Sequence, residues 1–163
     1  MEKTLVLLKP DAIQRNLIGE IISRFERVGL KMVAMKFLIP TKKQARTHYE
    51  TNPNLPKEIL DRLEEFLSSS PIVAMVLEGN KAIPIVRKLV GSTEPLKSDV
   101  GTIRGDFTVD SYDLADGDER AVKNLVHASS SEGDAEKEMA IWFKSEELCK
   151  YDIVRDSILY KKR

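Results

Sequence analysis

Apolar positions along this chain follow two different rhythms. Thr4 to Leu8 is a strand-like apolar run closed by Lys9-Pro10-Asp11, and an unbroken run of that kind predicts a strand covered on both faces. From Asn16 the period changes: Ile18, Ile21, Ile22 and Phe25 fall at helical spacing among charged residues until Gly29 stops the helix. Lys31 to Pro40 alternates, with Met32, Ala34, Lys36 and Leu38 on one side and Val33, Met35, Phe37 and Ile39 on the other, which predicts a second strand. Thr41 can cap a short polar helix through Tyr49, and Asn52-Pro53-Asn54-Leu55-Pro56 reads as a turn. An amphipathic helix comes next with Ile59, Leu60, Leu63 and Phe66 as its stripe, then a third strand from Pro71 to Leu77 and another helix from Lys81 to Val90.

The second half is less regular. Gly91 to Asp106 has almost no periodicity and holds one proline and three glycines; a long structureless loop in a compact domain is usually functional. Asp110 to Arg120 is polar and acidic and reads as a surface excursion. Lys123 to Ala128 predicts a short strand, and Ser131 caps the helix after it with Asp134 as capping-box partner. The order β-α-β-α-α-β-α-loop-β-α, without repeat or linker, predicts one domain over 1–163 built as a sheet with helices packed on it.

Composition narrows the class. Hydrophobic residues make up 42% and charged residues 32% of 163 positions, an ordinary globular balance with enough chain for a core. Twenty-six basic residues cancel twenty-six acidic ones, so no specific nucleic-acid partner is expected. The N-terminal apolar run is too short for a signal peptide, and no later run is long enough to span a membrane. Cys149 is the only cysteine, which excludes an intrachain disulfide; it reads as a small, partly buried residue. The expectation is a cytoplasmic protein with no membrane partner.

Candidate chemistry is sparse. His127 ends the run Asn124-Leu125-Val126 and opens into Ala128-Ser129-Ser130-Ser131, where a strand gives way to a helix N-terminus with unpaired N–H groups. Imidazole is a nucleophile near neutral pH, although a core histidine bonded to backbone has the same local pattern. His48, in the polar run Gln44 to Glu50, reads as a solvated helical side chain; two histidines make a histidine-rich metal site unexpected. Lys9 follows a buried strand, Arg87 lies on an otherwise apolar helix, and Arg104 sits between Gly101 and Gly105. Glycines there let backbone approach a ligand, and such cations together suit phosphates. No Gly-x-x-x-x-Gly-Lys-Ser/Thr or Gly-x-Gly-x-x-Gly loop is present, so a nucleotide site must be of another kind.

Four separated strings resemble one family. Asn124-Leu125-Val126-His127-Ala128-Ser129 is similar to the nucleoside diphosphate kinase signature Asn-x-x-His-Gly/Ala-Ser-Asp. Thr4 to Arg15 resembles its opening strand and Lys-Pro-Asp-x-x-x-Arg turn. Gly91 to Pro95 with Gly101 to Asp106 resembles its long loop, and Ala135 to Glu138 with Trp142-Phe143 resembles the family's helix after the histidine. The resemblance implies a ferredoxin-like α/β sandwich, a four-stranded antiparallel sheet with helices on it. It implies an enzyme that moves the γ-phosphate of a nucleoside triphosphate to a nucleoside diphosphate through phosphorylated His127, by ping-pong kinetics and with broad base specificity. A nucleotide- or nucleic-acid-binding regulator with reduced catalysis is the alternative on the same fold.

By the same resemblance, Glu138 orients His127, and Tyr49 and Ser129 flank it. Lys9, Arg87, Thr93, Arg104 and Asn124 bind phosphates and sugar, and Ile59 and Leu63 contact the base. Mg2+ is held mainly by the nucleotide's phosphates rather than by the protein. Self-association is implied too, a homo-hexamer ahead of a tetramer, with Pro95 in a trimer-contact loop and Ile158 to Arg163 adding contacts. The sequence departs from the family pattern where Ser130 replaces the usual Asp, where Ile59 stands in place of an aromatic, and between Asp106 and Asn124. That last stretch is longer than in short members by roughly ten residues, a surface change that folds tolerate.

Overall fold

The computed structural model describes residues 1–160. Four strands, β1 (Glu2–Leu8), β2 (Lys31–Leu38), β3 (Ile72–Gly79) and β4 (Val126–Ala128), form one sheet in the order β2-β3-β1-β4. Every neighbouring pair is antiparallel. Strands β1 and β3 occupy the middle and are buried along most of their length, which is why they read as unbroken apolar runs rather than alternating ones. A bulge between Met32 and Ala34 shifts the register of edge strand β2.

Helices cover both faces. On one, Val6, Leu8, Val73, Met75 and Leu77 meet Ile21 and Phe25 of α2 (Ile18–Arg27) and Ala82, Val86 and Val90 of α5 (Ala82–Val90). On the other, Leu5, Leu7, Ala74 and Val76 meet α3 (Lys42–Tyr49), α4 (Lys57–Ser68) and α8 (Glu132–Trp142). The strand order, with α2 and α5 as crossovers on one face, is the ferredoxin-like arrangement. Thr41 caps α3 as expected: its Oγ1 accepts the Gln44 N–H, and the Gln44 amide oxygen accepts the Thr41 N–H.

Several expectations are corrected. Pro10–Gln14 forms a short helix, α1, begun by a proline at its first turn. The loop from Gly91 contains a 3-10 turn, Pro95–Lys97, and helix α6 (Ile103–Phe107). Single turns like these are too short for periodicity to register. The acidic excursion folds as α7 (Tyr112–Gly117), pinned by buried Ala115. Strand β4 begins only at Val126, because Leu125 has a φ of 67° and breaks the ladder. Ser131 does cap α8, accepting the Asp134 N–H, but the capping box is not closed: the Asp134 carboxylate accepts from the Ser130 hydroxyl rather than from the Ser131 backbone N–H. Cys149 is exposed rather than partly buried. Helix α9 (Val154–Leu159) is the last described element; of the tail Ile158 to Arg163, residues 161–163 lie outside the described residues.

Candidate active site

Local chain geometry at Leu125 aims the site. The Val126 N–H donates to the Asn124 carbonyl at 2.7 Å, which with the positive φ of Leu125 is a γ-turn of the rare strained kind. A bulky residue there costs about 1–2 kcal/mol, so the neighbouring turn has to hold it. It does: Lys9 N–H donates to the Leu125 carbonyl at 2.8 Å, and the Leu125 N–H donates to Asp11 Oδ2 at 2.9 Å. The Lys-Pro-Asp turn after β1 is thus a clamp on the segment before β4.

Register then decides which face His127 occupies. It pairs with Leu7 across the β1–β4 ladder, and cross-strand partners share a face. That face is the one covered by α3, α4 and α8. The α8 carboxylate of Glu138 is 4% exposed and lies 3.0 Å from His127 Nε2. Ser129 Oγ donates to the same carboxylate oxygen at 2.6 Å. A carboxylate accepts, so His127 carries its proton on Nε2 and presents the Nδ1 lone pair.

The cations converge as the sequence suggests. Lys9 is buried, and its Nζ donates to Asn124 Oδ1 at 2.8 Å, while Asn124 Nδ2 donates to the Thr93 carbonyl at 2.8 Å. Burial, and then the nearby Arg104 charge, lower the Lys9 pKa to about 8 despite Asp11 alongside. Arg104 is also buried, and desolvation followed by Arg87 lowers its pKa to about 10, so it stays charged. Its Nε, Nη1 and Nη2 donate to the carbonyls of Asn124, Gly91 and Val126 at 3.1, 3.0 and 2.5 Å. Arg104 therefore braces the segment carrying His127 as well as charging the site. Arg87 is exposed.

One reading of the glycines is corrected: a Cβ on Gly105 would lie 2.1 Å from the Asp99 carbonyl oxygen. Gly105 admits the protein's own loop, not a ligand.

These residues line one cleft of about 630 Å3, within the range of ligand sites. Lys9, Tyr49, Ile59, Leu63, Arg87, Thr93, Arg104, Asn124, His127 and Glu138 all contribute to its wall; Ser129 sits behind, fully buried, on Glu138. Ile59 and Leu63 are half-buried and open to the cleft, whereas Leu60 and Leu67 of the same helix are buried. The Tyr49 hydroxyl is buried without a partner among the described residues, and burial, then Asp11, raise its pKa. Ser130 lines the cleft next to Asp134, whose carboxylate is held ionised chiefly by the Ser130 and Ser131 hydroxyls. A carboxylate thus reaches the same place from one turn along α8.

Sequence reasoning misplaced His48. It is 1% exposed, and its ring centroid lies 4.3 Å from that of His127, edge-on at 85°. Trp142 Nε1 donates to its Nδ1 at 3.3 Å, leaving Nε2 buried and, among the described residues, unpartnered. Burial and the neighbouring His127 push its pKa well below the usual histidine range, so it is a neutral core side chain. The signal was there: Ala45, His48 and Tyr49 are the buried residues of α3, an i, i+3, i+4 stripe in an otherwise polar helix. Tyr112, on α7, also lines the cleft and carried no sequence signal.

His48, His127 and Glu138 offer nitrogen and oxygen atoms within 4.8 Å of one another. Trp142 occupies His48 Nδ1, and Glu138 already accepts from His127 and Ser129. With Lys9 close by, that donor set does not suit a resident cation. The remaining acid in the wall, Asp134, is engaged by Ser130. Among the described residues, the acids of the cleft wall are thus already engaged by protein partners.

A family-wide sequence model described as nucleoside diphosphate kinase matches residues 2–148. The nucleoside diphosphate kinase of Methanobrevibacter smithii is 43% identical over 161 residues, 99% of each chain. Among solved structures, a transition-state mimic of the Borrelia burgdorferi nucleoside-diphosphate kinase, with bound vanadate and ADP, superposes with a TM-score of 0.93 at 42% identity. It covers 96% of this chain and 95% of its own. A halophilic nucleoside diphosphate kinase from Halobacterium salinarum in complex with CDP gives 0.84 at 37% identity, covering 98% and 99%.

Proposed function

This chain belongs to the nucleoside diphosphate kinase family, and from that premise we propose how its cleft performs phosphoryl transfer and which residues do so. It is a phosphotransferase that moves the γ-phosphate of a nucleoside triphosphate to a nucleoside diphosphate. The single observation that carries the residue assignment is the Glu138–His127 Nε2 contact at 3.0 Å, which leaves Nδ1 as the free nucleophile.

His127 Nδ1 attacks the γ-phosphorus, forming a P–N bond as the bond to the β-phosphate oxygen breaks and the diphosphate leaves. Positive charge develops on the imidazole, and the Glu138 carboxylate, steadied by Ser129, stabilises it. An acceptor diphosphate then attacks phosphorus with a β-phosphate oxygen; the P–N bond breaks and neutral His127 returns. Lys9, Arg87, Arg104, Thr93 and Asn124 position the phosphates and sugar, the main work in this chemistry. Tyr49 offers a buried hydroxyl in the wall of the same cleft. Mg2+, carried by the nucleotide's phosphates, supplies further charge neutralisation when bound.

Ile59 and Leu63 contact the base without reading its edge, so purines and pyrimidines both serve. That relatives were captured with ADP and with CDP supports this breadth. A regulator without catalysis would need neither Glu138 nor its hold on His127. We also read the chain as one domain acting in the cytoplasm; among the described residues no helix is long and apolar enough to cross a membrane. A closed homo-oligomer, a hexamer ahead of a tetramer, would cover apolar side chains that the monomer leaves in solvent. Leu96 beside Pro95, Val100, and Phe37 on β2 are among them.

The test is phosphoenzyme formation. Incubation with ATP labelled at the γ-phosphate gives an acid-labile, alkali-stable adduct, discharged by any nucleoside diphosphate. His127→Ala abolishes the adduct. A His127→Ala protein that transfers phosphate at near-normal rate overturns the assignment.

A further inference from the structure

Helix α7 takes no part in the transfer chemistry at His127, yet it is tied down on three sides. Asp110 closes its two ends, accepting from Arg120 Nη1 and Nη2 at 2.7 and 2.9 Å and from the Lys123 N–H at 2.6 Å. The buried Glu94 carboxylate accepts the Tyr112 N–H at 3.0 Å. Asp116 pairs with Arg62 of α4 at 3.0 Å, and Arg62 lies between Ile59 and Leu63 in sequence. These ties hold α7 against the rim formed by α4.

The helix presents an aromatic ring there. Of the two tyrosines lining the cleft, Tyr49 is buried, whereas Tyr112 is 42% exposed. Solvated rings on an anchored backbone are pre-organised for a flat partner. The cleft's lining is of two kinds: His127, Lys9, Asn124 and the two arginines supply charge and hydrogen bonds, which on the proposed reading take the phosphates, and Ile59, Leu63 and Tyr112 supply apolar wall.

We propose that Tyr112 is a base-contacting residue, its ring stacking on the nucleobase while Ile59 and Leu63 provide the aliphatic contact. This rests on the reading of the cleft as a nucleotide site. It makes the segment that lengthens the chain between Asp106 and Asn124 part of the substrate site rather than surface ornament. Stacking tolerates every base, because each has a π-face, and favours larger rings.

The experiment compares wild type with Tyr112→Ala and Tyr112→Phe in three measurements. These are ADP affinity by calorimetry, KM for ADP and CDP in discharge of the phosphoenzyme, and phosphorylation by phosphoramidate, which has no base. Tyr112→Ala weakens ADP binding and raises its KM by roughly tenfold, with a smaller rise for CDP. The loss is absent with phosphoramidate, and Tyr112→Phe restores wild-type affinity. ADP affinity within twofold of wild type in Tyr112→Ala overturns the proposal, as does an equal loss with phosphoramidate, which marks a structural role. A wild type that binds ADP but forms no phosphoenzyme refutes the catalytic reading and leaves the affinity comparison to decide Tyr112. A wild type that binds no ADP overturns both.

Discussion

The two ends of the cleft are held by different physics. At the phosphate end, buried groups fix one another: Lys9 on Asn124, Asn124 on Thr93, Arg104 on three carbonyls, Glu138 on His127 and Ser129. Removing one member there leaves a buried polar group unsatisfied. At the base end the walls are apolar side chains on α4 and α7, joined by an ion pair whose Asp116 is largely exposed. Surface pairs contribute about 0–1 kcal/mol, so that end can give by small amounts. On the proposed assignment, the contrast puts precision at the reacting phosphorus and tolerance at the base, as broad base specificity requires.

The largest expected effect comes from breaking the buried end. Glu138→Gln keeps the shape but removes the charge that stabilises the imidazole during attack. Single-turnover phosphorylation should slow about a hundredfold or more, the usual scale for losing one pre-organised electrostatic contact. ADP affinity should change by less than about threefold, since the phosphate cations remain. Equal losses in rate and affinity would show that Glu138 holds the fold rather than the nucleophile.

Next comes the lowered pKa of Lys9. With a value near 8, the free enzyme's Lys9 passes from about nine-tenths charged at pH 7 to about one-tenth at pH 9. Positive charge is lost as pH rises, so phosphate binding weakens across that window. ADP titrations at constant ionic strength should show affinity falling up to about tenfold between those pH values. The step should flatten in Lys9→Met. An affinity that rises with pH, or a step unchanged in Lys9→Met, would contradict the assignment.

How well each end could be read from sequence follows the same division. Strands β1 and β3 and helices α2 and α4 bury long apolar patterns, and periodicity exposed them. Lys9, Arg104 and His127 stood out because each breaks an apolar or glycine-rich context. His48 did not, because its only local signal is a short stripe with Ala45 and Tyr49 in a polar helix, and the side chains that bury it, Trp142 and His127, lie far along the chain. Leu125's γ-turn and the Asp11 clamp on it are likewise products of long-range pairing. Tyr112 was hidden differently: its helix is a single short turn, fixed by Asp110, Glu94 and Arg62, and no local period marks it.

The smallest effect sharpens the rim. Arg62→Ala removes the link between α4 and α7 while leaving every buried contact in place. KM for ADP should rise about two- to threefold, and the rise should shrink in high salt, as screening already weakens an exposed pair. A tenfold change, or one independent of salt, would mean that the rim is held as rigidly as the floor.

Everything at the phosphate end turns on which nitrogen of His127 is free. Phosphorus NMR of the denatured phosphoenzyme, compared with authentic Nδ1- and Nε2-phosphohistidine, reads this directly. With Glu138 accepting the Nε2 proton at 3.0 Å, the phosphate should sit on Nδ1. A phosphoenzyme carrying it on Nε2 would mean that Glu138 does not orient the nucleophile.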